Sequence, residues 1–328
     1  MALLLVVSAI LTACGSGSKT STGARGTGSA STAKTSVAHV TITVDPNSAS
    51  LPEFVAQKEG FFKQNHLAVS ITPQTNISLI PVELVRHQFD FGTSVAPILL
   101  AAAAKGLPLV QTTGGQIDAL TAPQDAMLVR KGTSVKDLSG EKVGVPALAG
   151  EPPTCVVAWF AHYGFHYTVK TLPVQLVTVA FQNMNQQLQA GLIGGALQTA
   201  PYWQEATKSG NLVALGPDPC AVVSSKNVTV QAFLASSSIW ANSHRAVVAA
   251  VDRALQEAIT YIKGHQTTAR KIEAASTGIS YSVLQQVPLS GYNATPSVSA
   301  IQTWYDAMRA DGQFTATVDP RTLVLQNP

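Results

Sequence analysis

The chain has 328 residues, 46% of them hydrophobic and only 12% charged, with a formal net charge of +3. That length and apolar content bury a sizeable core and leave room for two lobes. The Lys and Arg residues are few and scattered, so no electrostatic footprint for nucleic acid exists.

Ala2 to Leu11 is an apolar run too short to span a bilayer but suited to the core of a signal peptide. Leu11-Thr-Ala-Cys14 follows and resembles a bacterial lipobox, which implies cleavage before Cys14 and acylation of its thiol. No basic segment precedes the apolar run, which predicts a start upstream of Met1. Gly15 to Ser36 holds Gly, Ser, Thr and Ala with a few cations and no larger apolar group than Ala. Such a stretch cannot offset the entropy of ordering, so it reads as a flexible tether. The expected organisation is a signal peptide and lipobox over 1–14 and a tether over 15–36. Lobe one follows over 37–126 plus 231–328, and lobe two over 127–230.

Ser50 and Glu53 have capping-box spacing, with Leu51, Phe54 and Val55 on one helical face and Gly60 as the left-handed stop. Leu67 to Ile71 alternates as a strand, and Gln74 to Ser78 is a polar loop before a second apolar segment ending at Arg86. Phe89 to Phe91 reads as a short strand and Gly92 to Ser94 as a loop. Pro97 to Lys105 reads as a helix closed by Gly106, and Leu109 to Thr112 as a strand. This βαβ rhythm predicts a layered α/β body.

The runs P-E-F-V-A-Q-K-E-G-F-F-K-Q-N-H-L-A-V-S-I, F-D-F-G-T-S-V-A-P and A-A-A-A-K-G-L-P-L-V carry a family likeness. They closely resemble the substrate-binding proteins of ABC importers for nitrate, sulfonates, taurine and thiamine pyrimidine precursors. The likeness continues through Leu128 to Lys131, Leu138 to Val145 and Gln189 to Ile193, and spans roughly residues 40–265. It implies a type II periplasmic-binding-protein fold, two α/β lobes joined by two crossing segments around a ligand cleft. It also implies a small-molecule ligand, ABC permease subunits as partners, no cofactor and a monomer. Gly195 departs from the pattern, because the family carries an aspartate there that mirrors Asp90.

Ala126 to Arg130 reads as the first crossing, Val135 and Leu138 as a helical turn, and Lys142 to Val145 as the start of the second sheet. A helix runs from Cys155 to Tyr163. Val174 to Val179 is almost wholly apolar, as for a strand buried on both faces. Asn183 to Ala190 reads as a helix, with strands at Ala196 to Gln198 and Leu212 to Leu215. Val230 to Ala235 is the second crossing. A long helix follows from Ser243 to Gly264, with shorter ones over 269–275, 283–287 and 297–310. With Cys14 acylated, Cys155 and Cys220 remain as an even pair in an oxidising compartment, either bonded or as two buried thiols.

Ligands in open α/β sheets lie beyond the carboxyl ends of strands and against helix amino termini. That rule selects Asp45, Asn47 and Ser48, then Thr75 and Asn76, Thr93 and Ser94, and Gly114 and Gly115. In the second lobe it selects Glu151 with Thr154, Gln182 and Asn183, and Gln198 with Tyr202 and Trp203. Ser48, Thr75, Ser94, Thr154 and Asn183 equally suit capping or turn chemistry, and Asp45 suits an Asx turn before Pro46. Trp203 offers either an aromatic cleft wall or a packing group. The histidines His66, His87, His162, His166, His244 and His265 have no metal-ligand spacing, so no metal site is expected. The body holds no G-x-S-x-G, H-E-x-x-H, Walker A or dinucleotide fingerprint. The expected protein is therefore a lipid-anchored extracytoplasmic binding protein, not an enzyme. A ligand-sensing surface lipoprotein and a biosynthetic enzyme of the same fold are the alternatives. The candidate loops hold Asp45 and Glu151, with Asp118 nearby, and no Lys or Arg, which favours a neutral, zwitterionic or cationic ligand.

Overall fold

A computed structural model describes residues 36–293 and 295–326. The signal peptide, the Cys14 anchor and nearly all of the tether lie outside the described residues. The described residues contain eleven strands. They are β1 Ala38–Val44, β2 Leu67–Pro73, β3 Phe91–Ser94, β4 Leu109–Ala119, β5 Asp125–Arg130 and β6 Lys142–Val145, then β7 Gln175–Thr178, β8 Gly195–Thr199, β9 Leu212–Ala214, β10 Val228–Ser237 and β11 Gly291–Tyr292.

The strands form two sheets, of order β11-β4-β10-β3-β1-β2 and β7-β6-β8-β5-β9. In the first, β1 pairs parallel to β2 and β3, while β10 runs antiparallel between β3 and β4. In the second, β6 pairs parallel to β7 and β8, and β5 runs antiparallel to β8 and β9. The carboxyl ends of β1, β3 and β4 thus share one edge of the first sheet. Those of β6, β7 and β8 share an edge of the second with the opening of β5. Chain passes between the sheets twice, from β4 to β5 and from β9 to β10.

Helices form where apolar spacing asks for them. Leu51–Lys58 and Arg245–Gly264 pack together over the first sheet, burying Leu51, Val55, Val251, Leu255 and Ile259. Gly60, Gly106, Gly164 and Gly191 all take positive φ at the ends of helices or turns, a conformation that costs glycine nothing. Another buried cluster runs through both halves, joining Leu99 and Leu100 to Trp159, Phe160 and Trp304. Trp304 also donates its indole N–H to the Val230 carbonyl.

Several local expectations change. The capping box does not form, because the chain is already turning at Ser48–Ser50, with Asn47 Oδ1 accepting from Ala49 N at 2.8 Å. Ser50 and Glu53 are instead buried against the sheet. The helix expected from Cys155 begins at Glu151, since Pro152 and Pro153 fall in its first turn, where a missing N–H costs nothing. Gly92 to Ser94 belongs to β3, and β4 extends well past Thr112. β7 is an edge strand whose half-buried Leu176 and Val177 pack against separate clusters on its two faces, while Gln175 and Thr178 are exposed. Residues 320–325, unread in sequence, bury Leu323, Val324 and Leu325, and Val324 bridges Gln111.

Cys155 and Cys220 are joined in a disulfide with Cα atoms 4.6 Å apart. A polar staple ties the C-terminal segment to the start of helix Glu151–His162. There Thr154 Oγ1 donates to Asp311 Oδ2 at 2.6 Å, and Gln313 Nε2 donates to Thr154 Oγ1 at 2.7 Å. Gly150 N completes it by donating to Gln313 Oε1 at 3.0 Å.

Candidate functional site

The strand ends of the two sheets carry an unusual density of carboxylates. Asp45 follows β1, Asp118 sits near the end of β4, Asp125 opens β5, Glu151 begins its helix, and Asp218 lies in the return segment before β10. Burial raises every one of them. Asp45 is lifted to about 6 by desolvation. Asp125 rises to about 7 through burial and then the charge of Asp218, and Glu151 to about 8 through burial and then Asp125 and Asp218. Asp118 is fully buried and is driven well above the usual range by desolvation, then by Asp125 and Asp218. A carboxylate taken from water without a counter-charge holds its proton more tightly.

No basic side chain relieves this cluster among the described residues. Arg130 lies at the far end of β5, where its guanidinium donates to the Leu188 and Ile193 carbonyls at 3.0 Å each. Asp218 has local donors: Gln124 N, Asp125 N, Cys220 N and Ala221 N reach its two oxygens at 2.8–3.0 Å. Thr199 donates to Asp125. Asp118 receives no N–H or hydroxyl donor, and its side-chain hydrogen bond is with the Asp125 carboxyl, which raises Asp118 and lowers Asp125.

Two hollows border these strand ends. One, of about 20 Å³, lies beneath the first turn of helix Leu51–Lys58 and is lined by Glu53, Thr93, Gly115, Gln116, Asp252 and Tyr292. Gly115 is required there, because a Cβ would sit 2.2 Å from the Ala232 carbonyl oxygen. Glu53 is raised to about 7 by burial, against a backbone hydrogen bond that lowers it. The other, of about 310 Å³, lies at the crossings and includes Pro123, Asp125, Trp203, Gly216 and Asp218.

The sequence-selected residues divide between these places. Thr93 and Gly115 line the first hollow and Trp203 the second. Asp45 accepts from Asn47 Nδ2 at 2.8 Å, and its own N–H donates to Thr93 Oγ1 at 3.3 Å. Ser48 donates to Glu273 Oε1 at 2.5 Å and accepts from Tyr292 OH at its carbonyl. Ser94 is buried with its hydroxyl on the Val95 carbonyl at 3.4 Å. Thr154 belongs to the staple. Gln198 is wholly buried, donating to the Phe181 carbonyl and Asn185 Oδ1 and accepting from Thr199 N. Thr75, Asn76 and Asn183 are exposed, and Asn76 caps Ser78 N. Tyr202 is half-buried with Gln182 Nε2 at 3.5 Å from its hydroxyl, and Trp203 donates to the Gln124 carbonyl at 3.2 Å.

Asp125, Asp218, Glu53, Gln116 and Tyr292 escaped sequence reasoning as site residues. The signal for Gln116 and Asp118 was present: two polar residues spaced by two share one face of a strand. Nothing local marks Asp218 as their neighbour.

The family model described as NMT1/THI5 like matches residues 47–269, more than half of the chain. The structure resembles the periplasmic aliphatic sulphonate-binding protein SsuA from Escherichia coli, with TM-score 0.71 and 17% identity over 88% of this chain and 98% of that one. It also resembles the periplasmic nitrate-binding protein NrtA from Synechocystis PCC 6803, with TM-score 0.69 and 13% identity over 87% and 84%. A 103-residue stretch is 29% identical to a 4-amino-5-hydroxymethyl-2-methylpyrimidine phosphate synthase of Saccharomyces cerevisiae, THI11. That match covers 30% of this chain and 29% of the synthase, less than a third of the curated relative's length. Among the described residues no helix is long and apolar enough to cross a membrane. Two sheets of this topology together with the family match lead to one statement: the chain belongs to the NMT1/THI5-like family and has the fold of the periplasmic binding proteins.

Proposed function

We propose that this protein is an extracytoplasmic solute-binding protein, anchored through a lipid on Cys14, that captures a small polar molecule and hands it to an ABC import permease. The ligand sits between the two sheets and is neutral, zwitterionic or cationic. The observation carrying the ligand assignment is the set of strand-end carboxylates, Asp45 and Glu151 foremost, with no guanidinium or ammonium beside them. A site that discriminates an oxyanion adds a cationic fork for paired charge-assisted hydrogen bonds. Arg130, at the end of β5 away from these strand ends, is held by the Leu188 and Ile193 carbonyls.

Trp203 beside the crossings supplies an aromatic wall for a flat heterocycle, with Tyr202 adjacent. The partial likeness to the yeast pyrimidine phosphate synthases supports a pyrimidine-like ligand. Two lobes, 37–126 with 231–328 and 127–230, close about the crossings, and the ligand favours the closed form by binding it better.

Calorimetric titration of the purified chain with nitrate, simple alkanesulfonates, taurine and aminopyrimidines tests the assignment. A heterocycle or zwitterion is expected to bind. Micromolar binding of nitrate or an alkanesulfonate, with the heterocycles silent, overturns the charge argument. Scattering with and without the bound molecule is expected to show compaction, and an unchanged radius removes the closure.

A further inference from the structure

The staple between Thr154, Asp311 and Gln313 joins parts of the chain that belong to different sheets. Helix Val298–Ala310 packs on helix Ala96–Ala104, which links β3 to β4 of the first sheet. Farther along, Val324 bridges Gln111 in β4, and Leu325 N donates to the Gln111 carbonyl at 2.9 Å. Residues 311–319 therefore form a strap with both ends fixed to the first sheet. Its beginning reaches across to the helix that follows β6 of the second.

The groups that make this contact are buried. Thr154 and Asp311 are each 2% exposed, so water does not compete for their hydrogen bond at 2.6 Å. Gln313 pairs with the backbone of Gly150 in both directions, accepting from its N–H at 3.0 Å and donating to its carbonyl at 3.2 Å. The Asp311 side chain also accepts from Gln313 N at 2.9 Å and Gln313 Nε2 at 3.0 Å. Its carbonyl accepts from Val169 N, another residue of the second half, at 3.0 Å. Met308 and Phe314, on either side of these residues, are buried in the same apolar cluster as Trp159 and Phe160.

The tie stands at the strand ends, away from the crossings. Gly150 lies in the loop after β6, and Pro97 lies just past β3. A Cβ on Gly150 would meet Pro97 Cβ at 3.5 Å, an ordinary contact distance. The carboxyl ends of the two sheets thus approach each other on this side without help from the strap.

We propose that residues 311–314 clasp the rim of the cleft and hold the two sheets together on this side before any solute enters. Two crossing segments alone form a hinge about which lobes part. A third tie at the strand ends opposes that motion and sets how far the empty form opens. A protein kept near its binding arrangement loses less affinity to the fraction that stands open. The clasp rests on the two-lobed cleft but not on the solute, because it acts in the solute-free chain.

The test therefore uses the full chain, dialysed free of solute. Thr154→Val keeps the side chain's shape and removes the donor, and Asp311→Ala removes the acceptor. Gln313→Ala, at a half-buried position, serves where a buried variant does not fold. Variants with native circular dichroism are compared with the wild type by scattering and by hydrogen exchange. The Gly150 and Val169 amides are expected to exchange about tenfold faster, and the radius of gyration to rise, while β1 and β8 keep their protection. An unchanged radius in the folded variants overturns the clasp, even where those two amides exchange faster, because the tie is then only local. A larger radius with protection lost throughout β1 and β8 overturns it as well, since the whole body has then loosened.

Discussion

The parallel seams of the two sheets, β1 with β3 and β6 with β8, are built alike and braced differently. In the first, Asp90 precedes the Ile42–Phe91 pair, donates its N–H to the Thr41 carbonyl at 3.0 Å, and accepts from Thr41 N at 2.8 Å and Thr41 Oγ1 at 2.9 Å. In the second, Gly194 precedes the Val143–Gly195 pair and donates its N–H to the Lys142 carbonyl at 2.8 Å. The counterpart of Asp90 is therefore Gly194, one residue before the Gly195 that the sequence pattern pointed to. No carboxylate clamps that seam. Glu141 instead lies over the Gly194 Cα, where a Cβ would come within 2.6–2.8 Å of its side chain. A repeated rhythm of strand and helix does not fix how each copy is held together.

The largest difference to test is covalent. The disulfide closes a separation of 65 residues and has no counterpart in the first sheet. Replacing both Cys155 and Cys220 by Ala is expected to lower stability by about 2–5 kcal/mol, read by urea unfolding. Two free thiols besides Cys14 in the denatured, unreduced chain would show that the bond is not made.

Next comes the buried acid under the first sheet's helix. Glu53, ordinarily near 4.5, is raised to about 7 by burial. Its folded form binds the proton more tightly than the unfolded one. Stability is thus undiminished below about pH 4.5, falls as pH rises through about 7, and stays reduced above it. Glu53→Gln is expected to raise stability by up to about 3 kcal/mol at alkaline pH and to change little in acid. A gain independent of pH would remove the titration as its cause.

The smallest effect sharpens the seam comparison directly. Asp90→Ala removes two hydrogen bonds to a charged acceptor at a half-buried site, for a loss of about 1–2 kcal/mol. Gly194→Ala is expected to cost about 1 kcal/mol through crowding, and Glu141→Ala in the same chain to recover most of that. Equal losses at both seams by denaturant titration would erase the distinction.

Much of the fold was legible because its signals are local. Leu67–Ile71 alternates, Gly60 and Gly106 stop their helices, and the apolar stripe of the long helix repeats at helical spacing, each within one element. In β7 the apolar run rightly signals cover on both faces, with Leu176 and Val177 in separate clusters, but such a run reports composition and not a place at a sheet edge. The candidate site was harder. Asp118, Asp125 and Asp218 meet only because two crossings bring distant segments together, and Glu53, at capping-box spacing, is turned inward by a helical turn that Asn47 starts early.

The place of β10 has a consequence for how the chain is made. It lies between β3 and β4 in the first sheet, yet it begins at Val228, after every strand of the second sheet has passed. On a ribosome the second sheet is complete while β3 and β4 still present open edges to solvent, and such edges invite pairing with other chains. A nascent chain halted before Val228 therefore exposes its most adhesive surface. Only translation of Val228–Ser237 closes it.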